Sequence, residues 1–319
     1  MNKLNVCPGT LKPGFETYSP RCIKEVFLGS VIDHVLPFHL PEEGADTFLL
    51  KLHRRKISLA DDGQYILKTA PTDIINAEQY PANAHLTMQL ASQVFDIPTA
   101  NCALIFLEDG RPAYITRRFD IKKNGETCKV DDFASLARLT EAHTGAHYRY
   151  QLSYFEMSQL IDKYFPAAIL AKEQLFRMVV FNYLFSNGDA HLENFSRIDC
   201  EGNSDGLLAP AYNLVNTALH GDDGDLALLG GLYHRDFEKL SFKTLGYYGY
   251  DDFFQFGMKI GMVSFRVKRF MDQLLGSREE VAGMISRSFL SDDMKAEYYR
   301  LYEARHGKLS TSFSGLNKA

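Results

Sequence analysis

The feature that most constrains the fold is a change of hydrophobic period near residue 120. Before it, short segments rich in β-branched and aromatic residues predominate, whereas the chain beyond about residue 130 follows a helical period, most clearly at Tyr154–Tyr164 and Lys172–Phe185. This order predicts an α+β fold of two lobes. We place a β-rich N-terminal lobe at residues 1–120 and a helical C-terminal lobe at residues 121–319.

Individual elements follow from local signals. One helix is predicted within the N-terminal lobe, at Ala82–Phe95, where apolar residues recur every four positions. The turn signal at Asp61–Gly63 predicts a hairpin. The predicted strands are Phe48–Lys51, Ile57–Leu59, Tyr65–Lys68, Cys102–Leu107 and Pro112–Phe119, and two further helical stretches are predicted at Phe253–Leu275 and Arg278–Arg305.

Charge and composition exclude several classes of partner and location. The net charge of -5 and the pI of about 6.1 disfavour direct binding of nucleic acid. No apolar run approaches the roughly 18–20 residues that span a bilayer, and no signal peptide is visible, so we expect a cytoplasmic protein without a membrane partner. The five scattered cysteines predict reduced, buried or incidental thiols.

A polar loop after the helix at Lys172–Phe185 carries the most informative residues. Asp189 and Asn194 are five positions apart, as are the Asp and Asn in the catalytic loop of protein kinases, and His191 lies between them. In that chemistry the Asp accepts the proton of the attacking hydroxyl and the Asn binds a metal ion. A structural alternative remains open, in which Asp189 caps a loop and His191 is simply buried.

Longer motifs around this loop resemble the HipA kinase family. Asn187–Ser196 is similar to the family pattern N-x-D-x-H-x-K-N-F-S, and Leu208–Tyr212 is similar to the L-(T/A)-P-x-Y that follows it. The run Leu214–His220 looks like the short HipT form of the family. The resemblance covers nearly the whole chain in the expected motif order. It implies a kinase-like fold and a toxin that transfers phosphate from ATP to serine or threonine.

The resemblance also implies roles and partners. Lys68, on the strand Tyr65–Lys68, would bind ATP phosphate; the alternative is an ordinary lysine at a strand end. Asp189 and Asn194 would be catalytic, Asn194 and Asn213 would hold Mg²⁺, and His191 would assist in binding the cofactor. The implied partners are a protein substrate such as an aminoacyl-tRNA synthetase, a small HipS-like subunit and a HipB-like DNA-binding antitoxin.

Three positions depart from the family pattern. Asn213 stands where the family has an Asp, so a negative charge at the metal position is lost. Leu52 stands at the glycine of the phosphate loop, and Ala84 at a glutamate of the first-lobe helix. Arg54, with Arg55, either replaces backbone amides as a phosphate contact or forms a solvated basic turn. The departures predict weakened binding of ATP and Mg²⁺ and impaired phosphoryl transfer.

Two functions from different classes therefore remain open at the sequence level. The first is a HipT-like serine/threonine kinase toxin, and the second is a pseudokinase that binds a nucleotide or a partner. Asn213 favours the second, whereas Lys68, Asp189 and Asn194 favour the first. A small-molecule kinase on the same fold is a third, weaker possibility.

Overall fold

The N-terminal part of the chain is built on a five-stranded antiparallel sheet. The computed structural model describes residues 4–41, 46–53, 55–122, 124–200, 206–221 and 224–315. The strands of this sheet are Thr47–His53 (β1), Lys56–Leu59 (β2), Tyr65–Lys68 (β3), Cys102–Phe106 (β4) and Pro112–Arg117 (β5), in the order β2-β1-β3-β5-β4. The five strands predicted from the sequence are all confirmed within a few residues.

The hairpin predicted at Asp61–Gly63 is wrong, because the two strands that flank this turn are not neighbours. β1 turns directly into β2, and β3 then crosses to the other side of β1. Leu50 of β1 is paired with Leu59 on one side and with Tyr65 on the other. Gly63 permits the crossing, since a Cβ at this position would lie 2.6 Å from the backbone nitrogen of Leu50.

Helices form the largest part of the regular structure outside this sheet in the described ranges. They span Pro20–Glu25 (α1), Tyr80–Gln93 (α2), Phe133–Leu136 (α3), Glu141–Thr144 (α4), Tyr154–Tyr164 (α5), Ala168–Leu184 (α6), Leu240–Leu245 (α7), Tyr250–Lys259 (α8), Ser264–Gly276 (α9), Arg278–Ser286 (α10) and Asp292–Ser310 (α11). The predicted stretches at residues 253–275 and 278–305 are each divided in two. Gly261, with φ +96°, separates α8 from α9, and Ser291 caps the start of α11 by accepting the amide of Met294.

A second, small sheet lies in the C-terminal part, where the sequence predicted helices. Its three strands are Lys129–Asp132 (β6), Ser196–Asp199 (β7) and Leu207–Leu208 (β8), in that order. These strands are too short, and carry too many charged residues, to show a period of two. β7 begins directly after the predicted catalytic loop and holds its end in place.

Helix α2 joins the two parts of the molecule. Every residue from Pro81 to Ala91 is buried, because the helix packs against β4 and β5 on one side and α10 on another. Phe95, just beyond its end, lies 5.8 Å from Phe181 and 5.7 Å from Phe185 between ring centroids. The main core thus extends across residue 120, and the predicted lobe boundary at that residue stays a prediction.

The expectation of reduced thiols is wrong for two of the cysteines. Cys128 and Cys200 form a disulfide that joins the start of β6 to the end of β7, whereas Cys7, Cys22 and Cys102 are free and buried. The sequence did not indicate the pair because the two cysteines are 72 residues apart. None of the helices in the described ranges is long and apolar enough to cross a membrane.

We expect loss of this disulfide to lower the stability of the fold. A cross-link that closes a loop of this length restricts the unfolded chain, and its removal typically costs about 2–4 kcal/mol. Thermal unfolding of the oxidised chain should therefore shift to lower temperature when dithiothreitol is added. The Cys128→Ser variant should unfold at the lower temperature with or without the reductant. Unfolding of the unmodified chain that is insensitive to dithiothreitol would contradict the prediction.

Candidate active site

A cavity of about 510 Å³ lies between the five-stranded sheet and the small sheet. Lys68 of β3 faces it from one side, and Asn194, Tyr212 and Asn213 from the other. The segment Arg118–Asp120, which leaves β5, closes one end. Three of the residues predicted from the sequence therefore line one cavity, although they are far apart along the chain.

The loop that carries Asp189 is shaped by the end of α6. Ser186 takes a left-handed conformation with φ +50°, and the amide of Asn187 donates to the carbonyl of Asn182 at 2.8 Å. The chain then turns sharply, and Asn194 Nδ2 donates to the carbonyl of Asp189 at 2.6 Å. This bond, to the backbone of Asp189, closes the loop between the two residues; Asn194 lines the cavity, whereas Asp189 is not among its lining residues.

Lys68, Asn213 and Asn194 form a continuous hydrogen-bonded series across the cavity. Lys68 Nζ donates to Asn213 Oδ1 at 2.9 Å, and Asn213 Nδ2 donates to Asn194 Oδ1 at 3.0 Å. Asn213 has φ +59°, a left-handed conformation that asparagine tolerates better than most residues. Strand β3 is therefore linked to the segment after β8 and to the loop of Asn194 through the side-chain amides of two asparagines.

The donor set is a poor fit for Mg²⁺. This ion prefers anionic oxygen, and the side chains of Asn194 and Asn213 offer neutral amide oxygens only. Each of these oxygens already accepts a hydrogen bond, one from Asn213 and one from Lys68. Within the described ranges, no group of three or more His, Cys, Asp or Glu residues could hold a metal ion.

Lys68 has no carboxylate counter-ion in the described part of the chain. Burial lowers the pKa of its ammonium group, and the negative charge of Asp46 only partly opposes this effect. Ala84, at the position of the family glutamate, is buried in α2 and cannot pair with a cation. An unpaired cation that faces a cavity is suited to bind an anionic group such as a phosphate.

His191 lies beside Asp189 and outside the residues that line the cavity. Its Nε2 is 4.0 Å from Asp189 Oδ1, and its Nδ1 accepts the amide of Glu193 at 3.2 Å. Burial lowers the pKa of the imidazole, which favours the neutral form that can accept this bond. These contacts shape the loop, and a direct part of His191 in binding a cofactor stays a prediction.

The predicted phosphate loop differs from a glycine-rich one. Leu52 lies within β1 and pairs with Ile57 of β2, so the backbone at the glycine position is part of the sheet. Lys51 forms an exposed ion pair with Asp62 at 2.6 Å. Arg55 is exposed, and Arg54 lies outside the described residues. The phosphate contact proposed for Arg54 therefore stays a prediction.

Two aromatic rings form a wall of the cavity that the sequence did not reveal. Phe119 and Tyr212 lie with their ring centroids 5.4 Å apart. The Tyr212 hydroxyl donates to the carbonyl of Glu193 at 2.8 Å and also bonds to Ser196 at 2.6 Å. Rings held in this way offer a flat apolar surface to a planar ligand such as a nucleobase.

A buried polar network, also missed, connects α2 to the segment after Asn213. Asn83 Nδ2 donates to the carbonyl of Asn216 at 2.8 Å, and Asn83 Oδ1 accepts the Asn216 amide at 3.1 Å. His220 Nε2 lies 2.9 Å from Asn83 Nδ2. Asn83 precedes Ala84 in the chain, but its partner Asn216 is 133 residues away and only the fold brings the two together.

Known proteins resemble this chain in sequence and in fold. Residues 48–282 match the family described as "HipA-like C-terminal domain". A protein of Haemophilus influenzae described as a "Putative kinase" is 27% identical over 248 residues, which cover 73% of this chain and 70% of that protein.

Two solved structures share the fold. HipA of Shewanella oneidensis MR-1, solved with HipB and its operator DNA, matches with a TM-score of 0.65 at 18% identity over 88% of this chain and 67% of that one. The Helicobacter pylori proinflammatory kinase CtkA matches with a TM-score of 0.54 at 14% identity over 82% of this chain and 94% of that one. These structures confirm the predicted kinase-like α+β fold, and the match over residues 48–282 shows that the chain belongs to the family of HipA-like C-terminal domains.

Proposed function

We propose that this chain is a HipT-like serine/threonine kinase toxin that transfers the γ-phosphate of ATP to a protein hydroxyl at a reduced rate. The observation that carries the proposal is the hydrogen-bonded series from Lys68 through Asn213 to Asn194, which is bonded in turn to Asp189. It brings a cation and two amides together beside one cavity and ties them, through the backbone carbonyl of Asp189, to the loop that carries the carboxylate. These groups are part of the set that kinases use for phosphoryl transfer to a hydroxyl.

Each residue has a defined part in this chemistry. Lys68 contacts phosphate oxygens, and the rings of Phe119 and Tyr212 hold the adenine. The carboxylate of Asp189, whose side chain is 49% exposed, accepts the proton of the substrate hydroxyl as its oxygen bonds to the γ-phosphorus and the bond to the bridging oxygen of ADP, the leaving group, breaks. Asn194 holds the loop of Asp189 in place. We assign no step to Mg²⁺, because the two amide oxygens fit this ion poorly.

The partners are proposed on the resemblance and on one relative. HipA of Shewanella oneidensis was solved with HipB and operator DNA. We propose that this chain likewise acts with a HipB-like antitoxin and with a small HipS-like subunit. An aminoacyl-tRNA synthetase is the proposed substrate class. Membership of the family favours the kinase over the pseudokinase, and the following experiment separates the two.

Restoring a carboxylate by Asn213→Asp should raise phosphoryl transfer by less than about tenfold, although the metal position regains its charge. An aspartate cannot donate to Asn194 Oδ1, so this oxygen becomes free for a cation. Leu52 and Ala84 remain unchanged, however, and two other parts of the phosphate site stay defective. The measurement is transfer of radiolabelled phosphate from ATP to protein at several Mg²⁺ concentrations, with the unmodified chain in parallel.

The outcomes discriminate clearly. A rise of more than about a hundredfold would show that Asn213 is the only serious defect. Rapid transfer by the unmodified chain would contradict impaired catalysis. No transfer by either chain, with ATP still bound, would indicate a pseudokinase instead.

A further inference from the structure

Three consecutive residues, Tyr148–Tyr150, contact the loop that carries the candidate base. The Tyr150 hydroxyl donates to Asp189 Oδ1 at 2.7 Å. Its ring packs edge-on against His191, with 5.3 Å between centroids. The Tyr148 hydroxyl bonds to Glu193, and Arg149 lies 3.5 Å from the same carboxylate. Sequence motifs gave no indication of this segment.

The segment is anchored from the other side as well. The carbonyl of Tyr150 accepts the amide of Leu229 at 2.8 Å, and the amide of Tyr148 donates to Gly145 at 3.0 Å. Tyr150 is therefore held by its backbone as well as by its hydroxyl and ring. A hydroxyl that is fixed in this way can limit the rotation of the carboxylate to which it donates.

The geometry points to Tyr150 as the positioning residue of the proposed base, Asp189. Its hydroxyl occupies one carboxylate oxygen, Oδ1, and leaves the other to accept the proton of a substrate hydroxyl. This inference rests on the proposed kinase function and adds to it a residue that acts through Asp189 without touching the substrate.

The protonation state of Tyr150 agrees with its proposed role as a hydrogen-bond donor to Asp189. Burial, together with the nearby carboxylate of Asp189, raises the pKa of Tyr150 to about 12. The hydroxyl is therefore protonated at neutral pH and remains a donor to Asp189.

A second interpretation is that the Tyr150 hydroxyl blocks the base by taking the place of the substrate. Two observations favour positioning. Tyr150 engages only Oδ1, and the side chain of Asp189 is still 49% exposed, which leaves room for a second hydroxyl. The bonds of Tyr148, Arg149 and Leu229 also hold the segment in place, whereas a hydroxyl that blocks the base would have to move away before the substrate binds.

The test compares two tyrosine-to-phenylalanine variants of the full chain. Tyr150→Phe removes the hydroxyl on Asp189. The matched control is Tyr248→Phe, which removes a buried hydroxyl that donates to Asp236 at 3.0 Å, outside the cavity. Both changes delete one tyrosine–aspartate hydrogen bond. The measurement is steady-state transfer of radiolabelled phosphate from ATP to protein. Each variant is made in the unmodified chain and in the Asn213→Asp background.

We expect Tyr150→Phe to lower kcat by about ten- to a hundredfold, as a hydrogen bond to a charged group implies, with the KM for ATP unchanged. Tyr248→Phe should leave both constants unchanged. Equal kcat for the two variants would overturn the inference, and a higher kcat for Tyr150→Phe would show that the residue blocks the base.

A readout that does not need turnover separates this inference from the proposed function. If Tyr150 and Asp189 are coupled, the double variant Tyr150→Phe with Asp189→Ala should lower Tm by less than the sum of the single variants. If Tyr150 and Asp189 are coupled in Tm but no chain transfers phosphate, the contact exists and the proposed function is wrong. The positioning role is then wrong with it. Turnover without coupling would overturn the positioning role alone.

Discussion

Replacing Asp189 by asparagine should lower phosphate transfer by about 10²–10⁴-fold, the usual contribution of a general base. The amide has nearly the same shape, so ATP binding and the fold should change little. Asparagine cannot accept the proton of the attacking hydroxyl, and this loss affects kcat directly. The measurement is single-turnover transfer of radiolabelled phosphate, together with calorimetric titration of ATP.

The control for this variant is Asp162→Asn. Asp162 lies on α5 and forms an ion pair with Lys172 at 2.6 Å, away from the cavity. Its substitution should leave transfer unchanged. A residual rate in Asp189→Asn equal to that of the control would exclude Asp189 as the base.

Replacing Lys68 by alanine should lower kcat/KM by about 10²–10³-fold, as does removal of one electrostatic contact to charge that develops in a transition state. Part of this loss should appear in calorimetry as weaker binding of ATP. Lys68 faces the cavity, bonds only to the neutral amide of Asn213 in the described structure, and can exchange this bond for phosphate oxygens. Among the described residues, no other lysine lines the cavity, so none can take over the contact made by the ammonium group of Lys68.

Lys51→Ala is the matched control for Lys68→Ala. Lys51 lies on β1 of the same sheet, but its ammonium group is paired with the exposed Asp62. It should therefore contribute little to ATP binding, since exposed ion pairs are worth at most about 1 kcal/mol. Equal ATP affinity in the two variants would rule out Lys68 as a phosphate contact.

Much of the fold was predictable because strands and helices have different hydrophobic periods. The strands β1 to β5 and the helices α2, α5 and α6 follow local signals, such as the capping box that Ser153 and Glu156 form at the start of α5. The small sheet was not predictable, because its strands have only two to four residues, two of them carry charges, and all are held by neighbouring strands. The strand pairing predicted at Asp61–Gly63 was wrong, since a turn signal does not specify which strands become neighbours in the sheet.

The residues of the candidate site were likewise predictable from local sequence, whereas their contacts across the fold were not. Motif spacing indicated Lys68, Asp189, Asn194 and Asn213. The structure places three of them around one cavity, and the fourth, Asp189, is bonded to Asn194 through its backbone carbonyl. The spacing of five between Asp189 and Asn194 is a local property, so the sequence alone sufficed to predict that one loop presents both.

Partners across the fold were decided by tertiary structure alone. Tyr150 reaches Asp189 from 39 residues away, and Lys68 reaches Asn213 from 145 residues away. Local sequence determines which groups a loop carries and where elements begin and end, because capping, turns and hydrophobic period act over a few residues. Which donor meets which acceptor depends on how the sheet and helices pack, since a hydrogen bond forms only within about 3 Å.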